Sequence, residues 1–189
     1  MLAAMNLTNQ FLIAMPTLGD PNFAQTVTYV CAHSEEGAMG IVINRPLDLT
    51  LAELYQHMDL DGGGGERADD PVLLGGPVET KRGFVVHEPV EEQIWDAVMQ
   101  VEAGLAIATS RDILEAMAQG AGPTRSLVAL GYAGWGAGQL EGEVLDNAWL
   151  NGPARPDIIF ECPYPDRWRR AAESMGVDID RLSGTAGHS

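Results

Sequence analysis

The chain predicts an α+β fold built on a mixed β-sheet, and three observations carry that reading. Short apolar, β-branched runs interleave with helical patterns along its 189 residues. The interleaving is not a strict alternation, and an early pair of runs reads as a hairpin, so part of the strand pairing is antiparallel. No internal repeat or composition break marks a second domain, and a chain of this length buries enough surface to fold as one unit without staples.

Taken in order, residues 11–15 (FLIAM) are an apolar run closed by Pro16, a first strand. Gly19, Asp20 and Pro21 are turn chemistry. Residues 26–32 and 38–43 form the predicted hairpin around a glycine-containing loop at 34–37, and Asn44, Arg45 and Pro46 end it. Thr50 and Glu53 have capping-box spacing at the start of a short helix through Met58. Residues 61–70 hold four consecutive glycines and mixed charge and predict a flexible surface loop. No Lys-Ser/Thr ending follows those glycines, so it is not a phosphate loop.

Strands are expected at 72–74 and 84–86, joined through Gly75, Gly76 and Pro77. Residues 88–103 read as an acidic connector with Trp95, Val98 and Val101 on one helical stripe. A strand at 105–108 precedes a helix that starts at Thr109 and Ser110, runs through Gln119 and stops at Gly120 and Gly122. Residues 126–150 are the most distinctive stretch. An apolar run at 127–130 leads to a glycine-rich loop with Gly131, Gly134, Gly136 and Gly138, then a short helix at 139–145 and an apolar restart at Trp149 and Leu150. A late strand at 158–160 and a helix at 166–175, capped by Asp166 and stopped by Gly176, complete the pattern. Residues 1–4 read as an optional extension ahead of Met5, and 183–189 as a polar tail.

A net charge of −16 with a single lysine, Lys81, works against non-specific attraction to phosphate backbones. Cys31 and Cys162 show no paired spacing, which fits a reducing compartment. No Lys or Arg precedes Arg45, so the charged start of a secretory signal is missing. No apolar run approaches the roughly 18 residues of a membrane span. These features predict a cytoplasmic location.

Chemistry-bearing patterns are few. Cys31 and His33, two apart on a predicted strand, are expected on one face. Zinc needs three or four ligands, however, and neither CxxC nor HExxH occurs, so no metal or other cofactor is expected. Cys31 beside His33 is a candidate redox thiol, set against the reading of a half-buried cysteine acting as a small hydrophobe. Ser110 at a strand-to-helix junction is a cap before it is a nucleophile, and no GxSxG elbow is present. No catalytic residue is therefore assigned. The glycine loop fails the GxGxxG spacing at Gln139, and Glu141 and Glu143 behind it oppose a phosphate. Tyr132, Trp135, Gln139, Asn147 and Trp149 either line a pocket or fill core and caps, with the core reading preferred. Arg155, Arg167, Arg169 and Arg170, interleaved with acids, read as a solvated helix face with ion pairs rather than a DNA-reading helix.

Several runs together resemble the YqgE/AlgH family of bacterial proteins: FLIAMPTLGDPNF (11–23), HSEEGAMGIVINRP (33–46), LLGGPV (73–78), RGFVVH (82–87), TSRDIL (109–114), ALGYAGWGAGQLEGE (129–143) and NAWL (147–150). The resemblance runs in order through nearly the whole chain. It departs at Ala32, where many members carry an acidic residue. It implies a single α+β domain with a strongly curved mixed sheet flanked by helices. It supplies no catalytic residues, and the transcriptional-regulator label on some members comes with no DNA-binding motif.

The expectation from the sequence is a non-enzymatic regulatory or ligand-sensing protein that answers to a small molecule or a protein partner. The ligand-binding residues would be Asn44, Arg45, Ser110, Arg111, Trp135 and Gln139, with Arg45 and Arg111 recognising an anion if they converge. The alternatives are a small-molecule hydrolase using Ser110 and a thiol-based redox sensor at Cys31.

Overall fold

The computed structural model describes residues 5–90, 94–101 and 104–186, the last four of these as backbone only. The extension at 1–4, parts of the acidic connector and the end of the polar tail lie outside the described residues. Among the described residues ten strands form one curled, half-barrel sheet in the order β10-β1-β2-β3-β9-β6-β8-β7, with β5 joined to β9 and β4 to β5. The β5–β9 pair is parallel and every other pair antiparallel, so the sheet is mixed and the fold is α+β. No helix among the described residues is long and apolar enough to cross a membrane.

β1 (Gln10–Ala14), β2 (Val27–Ser34) and β3 (Gly37–Val42) form a meander, with the predicted hairpin turning at 34–37. The hairpin ends before Pro46 as expected, with β3 stopping at Val42, but the chain stays in the sheet. Pro46 opens β4 (Pro46–Thr50), a short strand paired to β5 (Pro71–Leu74), where a proline at the first position forfeits no ladder bond. Thr50 and Glu53 close the capping box at α1 (Leu51–His57). Residues 61–70 contain a 3₁₀ turn at Gly65–Arg67, and Gly64 donates to Ala118 O at 2.8 Å.

β6 (Val78–His87) is longer than the expected strand. The helical stripe expected around Val98 is instead β7 (Val98–Gln100), an exposed edge strand on β8 (Ala106–Ala108). Its approach is fixed by Asp96 N–H on Asp112 Oδ2 and Ala97 N–H on Ser110 Oγ, bonds to the start of α2 (Arg111–Ala118) that no helical period reveals.

The glycine-rich stretch differs most from expectation. Gly131, Gly134 and Gly136 lie inside β9 (Ser126–Gly136), and only Gly138 belongs to a turn. β9 changes neighbours along its length. Residues 126–130 run beside β6, with Ala129 and Leu130 also beside β5, and residues 133–136 run beside β3. The change falls at Gly131, whose φ of +79° suits only glycine and whose Cα faces Gly76 O too closely for a side chain. α3 (Gln139–Leu145) and β10 (Trp149–Pro153) follow, the latter pairing with β1.

The expected late strand at 158–160 is α4 (Pro156–Phe160). Pro156 presets the first helical turn, and the adjacent Ile158 and Ile159 are both buried in the same core, as a helical rotation permits. α5 (Arg167–Glu173) and α6 (Ile179–Ala186) complete the chain.

Three apolar clusters hold the layers together. The main core joins Phe11, Tyr29, Ile41 and Phe84 of the sheet to Ile158, Ala171 and Ile179 of the C-terminal helices. A second packs α1 and α2 on Val72, Val85 and Val128, and a third packs Leu140 of α3 with Trp135 and Trp149.

Candidate functional site

An open cleft of about 930 Å³ lies among the described residues. Its floor continues the main core. Phe84 and Ile107 belong to that core, and Met39 and Tyr132 pack against it. Phe84 and Tyr132 meet edge to face at 5.8 Å between ring centroids. Arg82, two residues before Phe84 and so on the same face of β6, lays its guanidinium 5.2 Å over the Phe84 ring. Val98 and Met99 of the edge strand form one wall with their side chains exposed, and Glu36 and Asp96 stand at the rim. The volume lies in the range of small-molecule sites, about 300–1,000 Å³, and an apolar floor with a few polar groups is their usual composition.

Of the expected ligand residues, only Trp135 reaches this cleft. Its side chain is 5% exposed and turns to the opposite layer, stacking on Phe23 and meeting Trp149 edge to face at 6.1 Å. Its indole N–H and that of Trp149 both donate to Glu143 Oε1, at 3.2 and 3.0 Å. Gln139 donates to Glu143 Oε2 at 2.9 Å and accepts from Gly136 N–H at 3.0 Å. The two tryptophans are therefore packed structure, tied to α3 through one carboxylate.

The other four are held elsewhere. Asn44 accepts from Val27 N–H and donates to Gln25 O. Arg45 donates to Pro21 O and Ala24 O, fastening the loop before β2. Ser110 donates to Asp112 Oδ1 and accepts from Ala97 N–H. Burial pushes the Asp112 carboxyl up, but hydrogen bonds from Ser110 and from the backbone of Asp96, Ile113 and Asp112 itself outweigh it and hold the group below 3.8. Arg111 pairs with Glu115 and donates to Met58 O at 2.6 Å. Ser110 and Arg111 line a separate cavity of about 280 Å³, which neither Asn44 nor Arg45 lines. The two arginines thus serve different parts of the fold.

Cys31 and His33 do not share a face. The β2–β3 register shifts between Val30 and Ala32, which makes Cys31 the extra residue of a β-bulge. Cys31 enters the main core, whereas His33 accepts from Leu7 N–H at 2.9 Å and bonds Glu141 of α3 in the third cluster's layer. At 3% exposure the thiol is pushed up to about 12 by burial, so it stays protonated at neutral pH. Arg167, expected on a solvated helix face, is also buried, at 3% exposure.

Beyond Tyr132 and Trp135, which the sequence offers as possible pocket lining, the cleft is not legible in advance because β2, β3, β6, β7, β8 and β9 each contribute only one to three of its residues. The Arg82–Phe84 spacing on a strand was the one local signal available.

Comparisons with known proteins agree with the geometry. Residues 11–180 match the AlgH-like family model. A UPF0301 protein of Thioalkalivibrio sulfidiphilus is 57% identical over 189 residues, covering 100% of both chains. One from Nitrosococcus oceani is 51% identical over 181 residues, covering 96% of each. The solution structure of the AlgH protein from Pseudomonas aeruginosa superposes with a TM-score of 0.77 at 47% identity, over 97% of this chain and 96% of that one. A crystal structure of a Corynebacterium diphtheriae protein at 18% identity shares the fold, with a TM-score of 0.76 over 97% of this chain and 94% of that one. A half-barrel sheet of this topology and a family match over most of the chain lead to one assignment: the protein belongs to the AlgH-like family, the YqgE/AlgH family that its sequence runs resemble.

Proposed function

We propose that the protein is a non-enzymatic, ligand-sensing regulator, and that its ligand is a small amphipathic molecule held in the cleft over Met39, Phe84, Ile107 and Tyr132. The observation that carries this reading is the floor itself: half-buried Met39 and Tyr132, packed on the main core beside Phe84 and Ile107, border a cavity of about 930 Å³. Met39 and Met99 give the walls adaptable, polarisable surface, and Arg82 offers a cation at the edge. The hydrolase and thiol-sensor readings have less support. Ser110 Oγ is already engaged by Asp112 and Ala97, and the Cys31 thiol is buried and protonated. A net charge of −16 disfavours direct contact with nucleic acid, so any effect on transcription would pass through a protein partner in the cytoplasm.

The test uses 8-anilinonaphthalene-1-sulfonate, an amphipathic fluorescent probe. Saturable one-to-one binding is expected, with methyl NMR shifts confined to Met39, Met99, Val98 and Ile107. Val98 is 42% exposed on an edge strand, so Val98→Glu should abolish the signal without unfolding the chain. Binding that survives Val98→Glu and Met99→Glu together, or shifts centred elsewhere, would refute the assignment.

A further inference from the structure

A second cavity, distinct from the cleft, carries a different chemistry. It measures about 210 Å³, and Arg67, Arg125 and Arg167 all line it, three of the chain's 11 basic residues. They come from three separate segments: the 3₁₀ turn after α1, the residue before β9, and the first turn of α5.

Arg167 is the anomaly. Its side chain is buried, its Nε donates to Cys162 O at 2.9 Å, its Nη1 donates to Ile43 O at 2.6 Å, and the guanidinium stacks 4.2 Å from the Tyr164 ring. Among the described residues no carboxylate pairs with it. Burial lowers its pKa from the ordinary arginine value, but a guanidinium does not deprotonate in proteins near neutral pH. A buried charge is ordinarily paired, because an uncompensated one is costly to remove from water. Here the charge is met by carbonyl dipoles and by the Tyr164 side chain rather than by a carboxylate, and the residue borders a polar cavity.

The surroundings suit an oxyanion. Arg67 is preorganised, with Nε on Asp70 Oδ2 at 2.9 Å and both Nη atoms on Ser126, one on Oγ and one on the carbonyl, each at 2.5 Å. Arg125 is held between Glu88, at 2.6 Å, and Glu161, at 2.8 Å. Asp70, Glu88 and Glu161 are spent on Arg67 and Arg125, so the Arg167 guanidinium is the one of the three that no carboxylate meets among the described residues. Thr124 and Tyr164 add hydroxyls to the lining. Planar guanidinium donors with hydroxyls match the several oxygens of a phosphoryl group.

We propose that this cavity is an anion site for a phosphoryl group, with Arg167 as the buried charge that the anion neutralises and with Arg67 and Arg125 as flanking donors. The source is either free phosphate or a small phosphomonoester.

Calorimetry on the full chain at pH 7 and constant ionic strength tests this, with inorganic phosphate, glycerol 3-phosphate, acetate and chloride as the titrants. Saturable binding of at least one phosphoryl titrant is expected, with none for acetate or chloride. The arginine Nε–H resonance of Arg167 should shift in parallel. Tighter binding of glycerol 3-phosphate would identify a phosphorylated metabolite as the source, and equal or tighter binding of phosphate the free ion. Arg125→Gln, at a partly exposed position, should weaken binding by about tenfold or more, as loss of a charge-assisted hydrogen bond does. Arg167→Met removes the central charge together with the bonds to Cys162 O and Ile43 O that hold α5, so the Arg125 variant and the Arg167 resonance carry the decision. No phosphoryl binding, or an affinity unchanged in Arg125→Gln with the Arg167 signal unmoved, would overturn the proposal. Neither outcome bears on the cleft, which Val98→Glu tests by itself.

Discussion

Removing the Glu143 carboxylate should loosen the layer that joins α3 to β9 and β10. Its Oε1 accepts from both the Trp135 and Trp149 indoles and its Oε2 from Gln139. Trp135 and Trp149 are 5% and 3% exposed, so Glu143→Ala leaves two buried donors without an acceptor. Each such orphan costs about 1–3 kcal/mol, and water reaching the half-buried Glu143 position offsets part of that, so the expected total is about 2–4 kcal/mol. For a chain of this size that is a fall in Tm of about 4–16 °C. Glu143→Gln keeps one oxygen for the indoles and should lose about 1 kcal/mol. Urea denaturation gives the free energies, and the indole N–H resonances of Trp135 and Trp149 report the local bonds. A loss below about 0.5 kcal/mol for Glu143→Ala, the range of an ordinary surface change, would refute the clamp, as would indole signals that do not move.

Three further predictions rest on other parts of the fold. Gly131→Ala, at φ +79° against Gly76 O, should lose more than about 2 kcal/mol, while Gly120→Ala, at φ +77° with open space around it, should lose about 1 kcal/mol; equal losses in chemical denaturation would contradict the steric argument. The Cys31 thiol is raised from 9.0 to about 12 by burial, so its contribution to stability is complete below about pH 9 and is lost as the pH rises towards 12. Ellman's reagent at pH 8 should accordingly label Cys162 and spare Cys31 until denaturant is added, and two fast thiols would count against it. Asp112→Ala should speed amide exchange at Asp96, which loses its acceptor at the start of α2, and less so at Ala97, whose acceptor Ser110 Oγ loses only the carboxylate that orients it. Because the Asp112 carboxyl sits below 3.8, the stability it adds holds above that pH and disappears as the pH falls through its folded value; unchanged exchange would remove the anchoring role.

What could be read in advance follows the range of the interactions involved. The β2–β3 hairpin, the capping box at Thr50 and the helix after Ser110 are encoded within a few residues and were legible. β7 was not, because an isolated edge strand is set by its hydrogen bonds to β8 and α2 rather than by its own periodicity. Nor was α4, whose three apolar residues fit either period until the core that receives them is known. The glycines of β9 misled for a related reason. They admit close neighbours in a strand interior, and glycine runs otherwise signal loops. The candidate site fared worst. Arg45 and Arg111 are cations near strand ends in the sequence, but each has its own carbonyl partners in the fold. The buried Arg167 sits in a charge-rich run that is otherwise solvent-facing.

The closure of the sheet also sets an order on how the chain acquires its structure. The meander β1–β2–β3 leaves the ribosome first, yet its two outer strands receive their neighbours, β10 and β9, only from the far end of the sequence. Through most of synthesis both sides of that meander are open edges, the kind of surface that recruits strands from other chains. Pairings between the first and last strands place this protein among slowly folding topologies. A chain shortened before Trp149 would keep every residue of β1 and still leave its outer edge unpaired.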